Sequence, residues 1–179
     1  MPEKKTLYAS LDIGTSQLKL AVYCPSLSDS MNLINSYPNE VIYGNSGVAS
    51  GDYHSVSNKS FALFKELGAF IQTNKIEVLY LGICGHISSL IEWNKTNDEA
   101  AEKLFPTWLD TTCYGSLEKY NAIMGNGKSR DIIGTFLPAG TNWLLTKLLH
   151  KKKTGFKNNA IFLQVSDVIF HQLTGLYQT

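Results

Sequence analysis

Cysteine is scarce and scattered. Cys24, Cys84 and Cys113 lie far apart, with no Cys-x-x-Cys spacing. This excludes a disulfide-stapled secreted scaffold and a zinc ribbon, and it leaves free thiols in a reducing, cytoplasmic setting. Charge is scarce as well: Asp, Glu, Lys and Arg make up 17% of the chain, and the net charge is +1. Neither sign is in surplus enough to recruit nucleic acid or an anionic membrane surface. No apolar run is long enough to span a bilayer, and "MPEKKTLYASL" lacks the apolar core and cleavage pattern of a signal peptide. Internal repeats and low-complexity stretches are also missing. What is there is 44% hydrophobic residues in a 179-residue chain. That suffices for a packed core in one domain, or in one domain and part of another.

The first pattern is strand-like. Residues 7–13 and 18–23 alternate in polarity and are rich in β-formers, which predicts a hairpin around Gly14, Thr15, Ser16 and Gln17. "MNLINSYP" (31–38) reads as a third strand stopped by Pro38. The next twenty residues are dense in Gly, Ser and Asn and read as a loop with little regular structure. Helical spacing then begins in residues 58–74, where Leu63, Leu67, Phe70 and Ile71 share a stripe and Ser57 or Asn58 stands ready as a cap.

"EVLYLGICG" (77–85) is a short continuous apolar run, as expected for a parallel strand buried on both faces. "ISSLIEW" (87–93) reads as its partner strand, and "KTNDEAAEKLF" as a polar, partly helical connection. The clearest helix lies in residues 140–156, with Leu144, Leu145, Leu148 and Leu149 on its apolar face. His150, Lys151, Lys152 and Lys153 fall in its last turn. There they complement the helix dipole or, in the less favoured reading, bind an anion. A short strand and a helix ended by Gly175 close the chain. Strands followed by alternating helices and strands predict an α/β domain with a mixed sheet, antiparallel at the hairpin and parallel further on.

The hairpin carries more than a turn needs. Gly14 lets the backbone approach a ligand with no Cβ in the way. Thr15 and Ser16 offer amides and hydroxyls to phosphate oxygens. Asp12 is a hard oxygen ligand for Mg²⁺, direct or through water, and Lys19 adds a cation beside the turn. For Asp12-x-Gly14-Thr15 alone, an ordinary hairpin with a solvated Asp and Lys accounts for the pattern about as well. Trp108 taken alone reads as a core aromatic.

Four segments in order change the balance. Asp12-Ile13-Gly14-Thr15-Ser16 with Lys19 resembles the first phosphate motif of the FGGY carbohydrate kinases, in the actin-like ATPase superfamily. "LGICGHISSLIEWN" (81–94) resembles the family segment written around Gly-Gln-Met-His-Gly, and "PTWLDTTC" (106–113) its Trp-x-Asp-x-Arg segment. "VSDVIFHQLTG" (165–175) resembles its Asp-Tyr-Leu-x-x-x-Leu-Thr-Gly helix.

The resemblance implies an RNase H-like fold and ATP-dependent phosphorylation of a sugar or polyol hydroxyl. In that reading Asp12 positions Mg²⁺, Gly14, Thr15, Ser16 and Lys19 face the phosphates, and His86, Ser88, Trp108 and Asp110 belong to the substrate side. An indole packs on the apolar C–H face of a sugar, and its hydroxyls want carboxylate or imidazole partners. Asp167 reads as structural, a cap of the final helix.

There are departures. Ser88 stands where the family has its sugar-gripping histidine, Thr112 where it has arginine, and Asn142 where it has lysine. Family members are two-domain proteins far longer than this chain. Residues 1–179 are therefore expected to be a partial N-terminal domain, with the general base and the adenine site beyond Thr179. Two alternatives accompany the kinase reading: a degenerate lobe kept for binding or assembly, and another actin-like ATPase. Separately, an unfinished sheet leaves an edge strand and an uncovered apolar face, so the isolated piece is expected to self-associate, a homodimer being one form, or to be marginally stable.

Overall fold

The period-2 pattern of the first two segments produces the expected hairpin. β1 (Thr6–Ile13) and β2 (Gln17–Tyr23) pair antiparallel, with Ile13 opposite Leu18 and Asp12 opposite Lys19. β3 (Asn32–Pro38) pairs antiparallel with β2, and β6 (Val78–Gly85) pairs parallel with β1. The result is one mixed four-stranded sheet of order β3-β2-β1-β6. Leu7, Leu11, Ile13, Leu18 and Leu20 on its inner face are completely buried. Each contributes on the order of 2 kcal/mol on burial.

The computed structural model describes residues 4–124, 140, 144–156 and 159–177. These gather into two compact units. The first comprises the four-stranded sheet, α1 (Tyr53–Asn74) and α4 (Val165–Thr174). The second is drawn from Val41–Gly51 and Ile87–Gln164.

In the first unit α1 starts five residues earlier than its apolar stripe predicts. Asp52, not Ser57 or Asn58, is the cap: its Oδ1 accepts from the Ser55 N–H at 3.1 Å. Ser57 is instead buried within the helix, and Tyr53, Val56 and Ser60 extend the buried face upstream of Leu63 and Leu67. Lys75 closes the helix in the left-handed region at φ 53°. α4 begins at Val165, so Asp167 lies inside its first turn rather than at the cap. Gly175, at φ 72°, follows its last turn as expected.

β6 departs from expectation. It is a half-exposed edge strand, with Leu79 40% and Tyr80 58% exposed, and not a strand buried on both faces. Its outward aromatic belongs to a cross-strand ladder in which Tyr8 stacks on Tyr80 at 5.3 Å and on Tyr23 at 6.3 Å. An apolar run can thus be used on an open face by stacking rather than by burial.

In the second unit, the stretch read as a loop forms β4 (Ile42–Tyr43), a 3₁₀ turn (Asn45–Gly47) and β5 (Ala49–Asp52). β5 lies between β4 and β9 (Leu104–Pro106). Gly51 is obligatory there, because a Cβ would meet the buried Phe105 ring at 2.4 Å. β7 (Ile91–Asn94) is shorter than the predicted strand, and its partners are β8 (Glu99–Ala100) and β10 (Ala160–Leu163), not β6. The connection expected to be partly helical contains β8 and β9 instead. The core holds Trp93, Phe105 and Tyr120.

α2 (Leu117–Met124) follows a 3₁₀ turn (Thr112–Ser116), and α3 (Leu144–Thr154) is the predicted leucine-rich helix, followed by Gly155 at φ 96°. Residues 141–143 of its expected start, Asn142 among them, lie outside the described residues. Two of its basic residues bind protein acceptors: Lys151 reaches Glu92 at 2.9 Å and Glu102 at 3.1 Å, and Lys153 donates to the Gly115 carbonyl.

Candidate functional site

Alternation on β1 and β2 sends Leu11, Ile13, Leu18 and Leu20 inward, so Asp12 and Lys19 must face outward. The two are register partners, and both are exposed. Ser36 on β3 and Cys84 on β6 complete the same row across the four strands. The Cys84 Sγ donates to the Leu11 carbonyl at 3.6 Å and lies 3.8 Å from Asp12 Oδ1. Burial pushes this thiol up from its ordinary value, and the neighbouring Asp12 carboxylate pushes it the same way. Cys84 therefore stays a neutral thiol at physiological pH.

The turn beyond Asp12 is tight. Gly14 N–H donates to the Gln17 carbonyl at 2.9 Å, which leaves Thr15 and Ser16 at the tip. A Cβ on Gly14 would sit 2.8 Å from that carbonyl oxygen, so glycine is required for the turn to close. Asn39 holds the turn from behind: its backbone N–H donates to Ser16 O and its Nδ2 to Gly14 O, both at 2.8 Å.

His86 joins this same cluster. It is buried, its backbone N–H donates to Ile13 O at 3.1 Å, and its Nε2 lies 3.4 Å from Asn39 Nδ2. Burial lowers its pKa, opposed by a hydrogen bond at the Gly14 backbone and by the Asp12 charge. Gly85 makes the approach possible, since a Cβ there would meet Ile13 Cβ at 2.6 Å.

The second unit holds Ser88, Trp108 and Asp110. Trp108 sits on a turn in which Asp110 N–H donates to Thr107 O at 3.1 Å, and its indole is 44% exposed. It is therefore no core aromatic. Asp110 is buried, and its carboxylate is engaged within the fold. Oδ2 accepts from Ala49 N–H at 2.9 Å, while Oδ1 accepts from the Thr112 N–H and hydroxyl. Ser88 is buried in the left-handed region at φ 62°, and its N–H donates to Gln164 Oε1 at 3.3 Å. The structure thus places Asp12, Gly14, Thr15, Ser16, Lys19 and His86 in one unit and the other three candidates in the second. Among the described residues no three His, Cys, Asp or Glu side chains gather as a metal-binding group.

Known structures share this architecture. Glycerol kinase from Plasmodium falciparum, solved with ADP, superposes over 96% of the chain with a TM-score of 0.75 at 17% identity. Gluconate kinase from Lactobacillus acidophilus does so over 97% with 0.74 at 19% identity, and xylulose kinase from Rhodospirillum rubrum over 96% with 0.77 at 17% identity. The chain has the sugar-kinase fold. It spans about a third of the length of these kinases, 34–35% of each. No protein-family model and no curated protein matches the sequence. No helix among the described residues is long and apolar enough to cross a membrane.

Within this sugar-kinase fold the hairpin fits a magnesium-bound phosphate chain. Asp12 is an exposed carboxylate at a strand end, and the glycine turn is a cradle that a Cβ would fill. One carboxylate suits Mg²⁺, which keeps most of its water and takes phosphate oxygens as further ligands. Two residues escaped the sequence reading. Asn39 sits in an irregular stretch after Pro38 and carries no local signal. Lys147 carried none either: at helical spacing it falls on the side of α3 away from Leu144, Leu145, Leu148 and Leu149, yet Thr146 and Lys147 are buried while those four leucines are half-buried.

Proposed function

We propose that the chain is the N-terminal part of an ATP- and Mg²⁺-dependent kinase that transfers the γ-phosphate of ATP to a hydroxyl of a sugar or polyol. The observation that carries this reading is the outward pair of Asp12 and Lys19 beside a glycine turn braced by Asn39. Asp12 would hold Mg²⁺, directly or through water, and the metal would neutralise charge on the triphosphate. Thr15 and Ser16 offer amides and hydroxyls to the phosphate oxygens, and Lys19 supplies a positive charge at the same edge. On the substrate side the exposed indole of Trp108 offers a flat apolar surface to a sugar ring or chain. Ser88 and His86 are assigned to that side by resemblance. Asp110 is assigned the task of holding the Trp108 turn in shape, because its oxygens are taken up by Ala49 and Thr112. No residue of this chain is assigned the role of general base.

The test is ADP release by the full-length protein with Mg²⁺-ATP against a panel of ketoses, alditols and sugar acids. Turnover on at least one is expected, and it is lost in D12A. Intact Mg²⁺-ATP binding with no turnover on any of them would favour a second reading, a kinase-like lobe retained for binding or assembly. One observation speaks for that alternative: Thr112, standing where the resemblance expects arginine, turns its hydroxyl back onto Asp110.

A further inference from the structure

Lys147 is 3% exposed, and its ammonium donates to two main-chain carbonyls, Ser88 O at 3.0 Å and Thr107 O at 2.5 Å. These belong to two segments distant in sequence. One carries Ser88 in its left-handed conformation; the other carries the exposed Trp108. Burying an ammonium costs several kcal/mol, whereas a methionine of similar length would fill the same space at no such cost. Nor is the lysine there to fill volume, since a cavity of about 80 Å³ lined in part by Phe105, Asp110, Cys113 and Lys147 adjoins it. What lysine supplies and methionine cannot is a set of charge-assisted donors that tie two carbonyls to one point.

We propose that Lys147 is a positioning residue for sugar recognition: its ammonium sets the separation and orientation of the Ser88 and Trp108 segments. The assignment of those segments to the sugar rests on the kinase reading above; the clamp itself does not. The strained Ser88 fits this role. A non-glycine residue at φ 62° persists only where its surroundings hold it, and Gln164 and Lys147 hold it through its N–H and its carbonyl. Burial draws the ammonium below the ordinary lysine value, and the nearby Cys113 and Asp110 oppose that shift.

The experiment compares wild type, K147M and K147R in the full-length protein. The readouts are initial rates over ranges of sugar and ATP, and the ¹⁹F resonance of 5-fluorotryptophan at position 108, assigned with W108F. In K147M the KM for sugar should rise by about tenfold or more, as expected for a misplaced contact. The KM for ATP should stay within about twofold, and the Trp108 resonance should shift or broaden. K147R should restore most of both, since a guanidinium can donate to two carbonyls and the adjoining cavity gives it room. An unchanged sugar KM together with an unchanged Trp108 resonance in K147M overturns the proposal. Should K147M not fold, K147Q, which keeps one donor, is judged by the same two readouts. If wild type phosphorylates no sugar, the kinase reading has failed, and the Trp108 resonance alone decides the role of Lys147.

Discussion

Asn39 and Gly14, 25 positions apart, are joined by a 2.8 Å hydrogen bond from the asparagine Nδ2 to the glycine carbonyl. With the Asn39 N–H on Ser16 O, this bond fixes the turn that carries Thr15 and Ser16 at its tip. Removing the side chain in N39A should cost about 1 kcal/mol, the net worth of one such bond. The Tm should fall by roughly 3 °C for a chain of this size. The KM for ATP in the full-length protein should rise further than that loss of stability accounts for. Unchanged ATP affinity would show that the turn keeps its shape without Asn39.

Gly14 tolerates no side chain, because the 2.8 Å approach of Gln17 O to an added Cβ involves main chain rather than a mobile side chain. G14A should open the hairpin and destabilise the protein by about 1–3 kcal/mol. Titration of the full-length variant with a fluorescent ATP analogue should show loss of binding. G14A that binds the analogue like wild type would remove the turn from the phosphate site.

Asp110 is expected to act on stability before affinity. D110A leaves the N–H groups of Ala49 and Thr112 without their acceptor and should cost about 3 kcal/mol. The Tm would then fall by roughly 10 °C. A weaker sugar affinity at unchanged Tm would instead place this carboxylate against the substrate.

His86 gives stability a pH dependence of known sign. Its pKa in the folded protein lies below the ordinary value of 6.5, chiefly because it is buried. The unfolded chain therefore takes up the proton first as pH falls, and its protonation favours unfolding. The stabilisation is fully present above pH 6.5 and is lost as the pH drops through the folded-state pKa. Thermal melts between pH 7.5 and 5 should show a steeper decline for wild type than for H86Q. Parallel curves would contradict the burial of the imidazole.

Lys151 pairs with Glu92, whose side chain is 5% exposed against 24% for the lysine. Burial works to lower the lysine pKa, but hydrogen bonds and charge from Glu92 and Glu102 outweigh it, and the net shift is upward. K151M should cost about 2 kcal/mol, less than a fully buried pair because water reaches the lysine. The double variant K151M/E92M should recover most of the loss in a urea melt. A double variant no better than K151M would mean that Glu92 bears no penalty when left alone.

Local chemistry explains which elements were legible. The hairpin could be read because its alternation and glycine turn lie within eighteen residues of chain. α3 and α4 showed leucine or valine faces and terminal glycines. The start of α1 was missed for a local reason: the polar stretch around Tyr53, His54 and Ser55 masks the buried face, although Asp52 with Ser55 is a readable cap. The strand at 87–93 was misassigned for a different reason. Its apolar content is real, but its partners β8 and β10 are chosen by tertiary packing, and β10 is far away in sequence.

The same division runs through the candidate site. By itself the sequence determined that Asp12 and Lys19 face the same side of a hairpin beside a glycine turn, because side-chain direction on a strand follows from a period of two. It also set out four motifs in kinase order. Only the tertiary structure decided that His86 packs with the glycine turn while Ser88, two residues on, belongs to the other unit, that Asn39 braces Gly14, and that Lys147 ties Ser88 to Thr107. Each of these contacts joins groups tens of residues apart. Such pairings depend on which surfaces meet when the apolar faces are buried, and no pattern of local spacing records that.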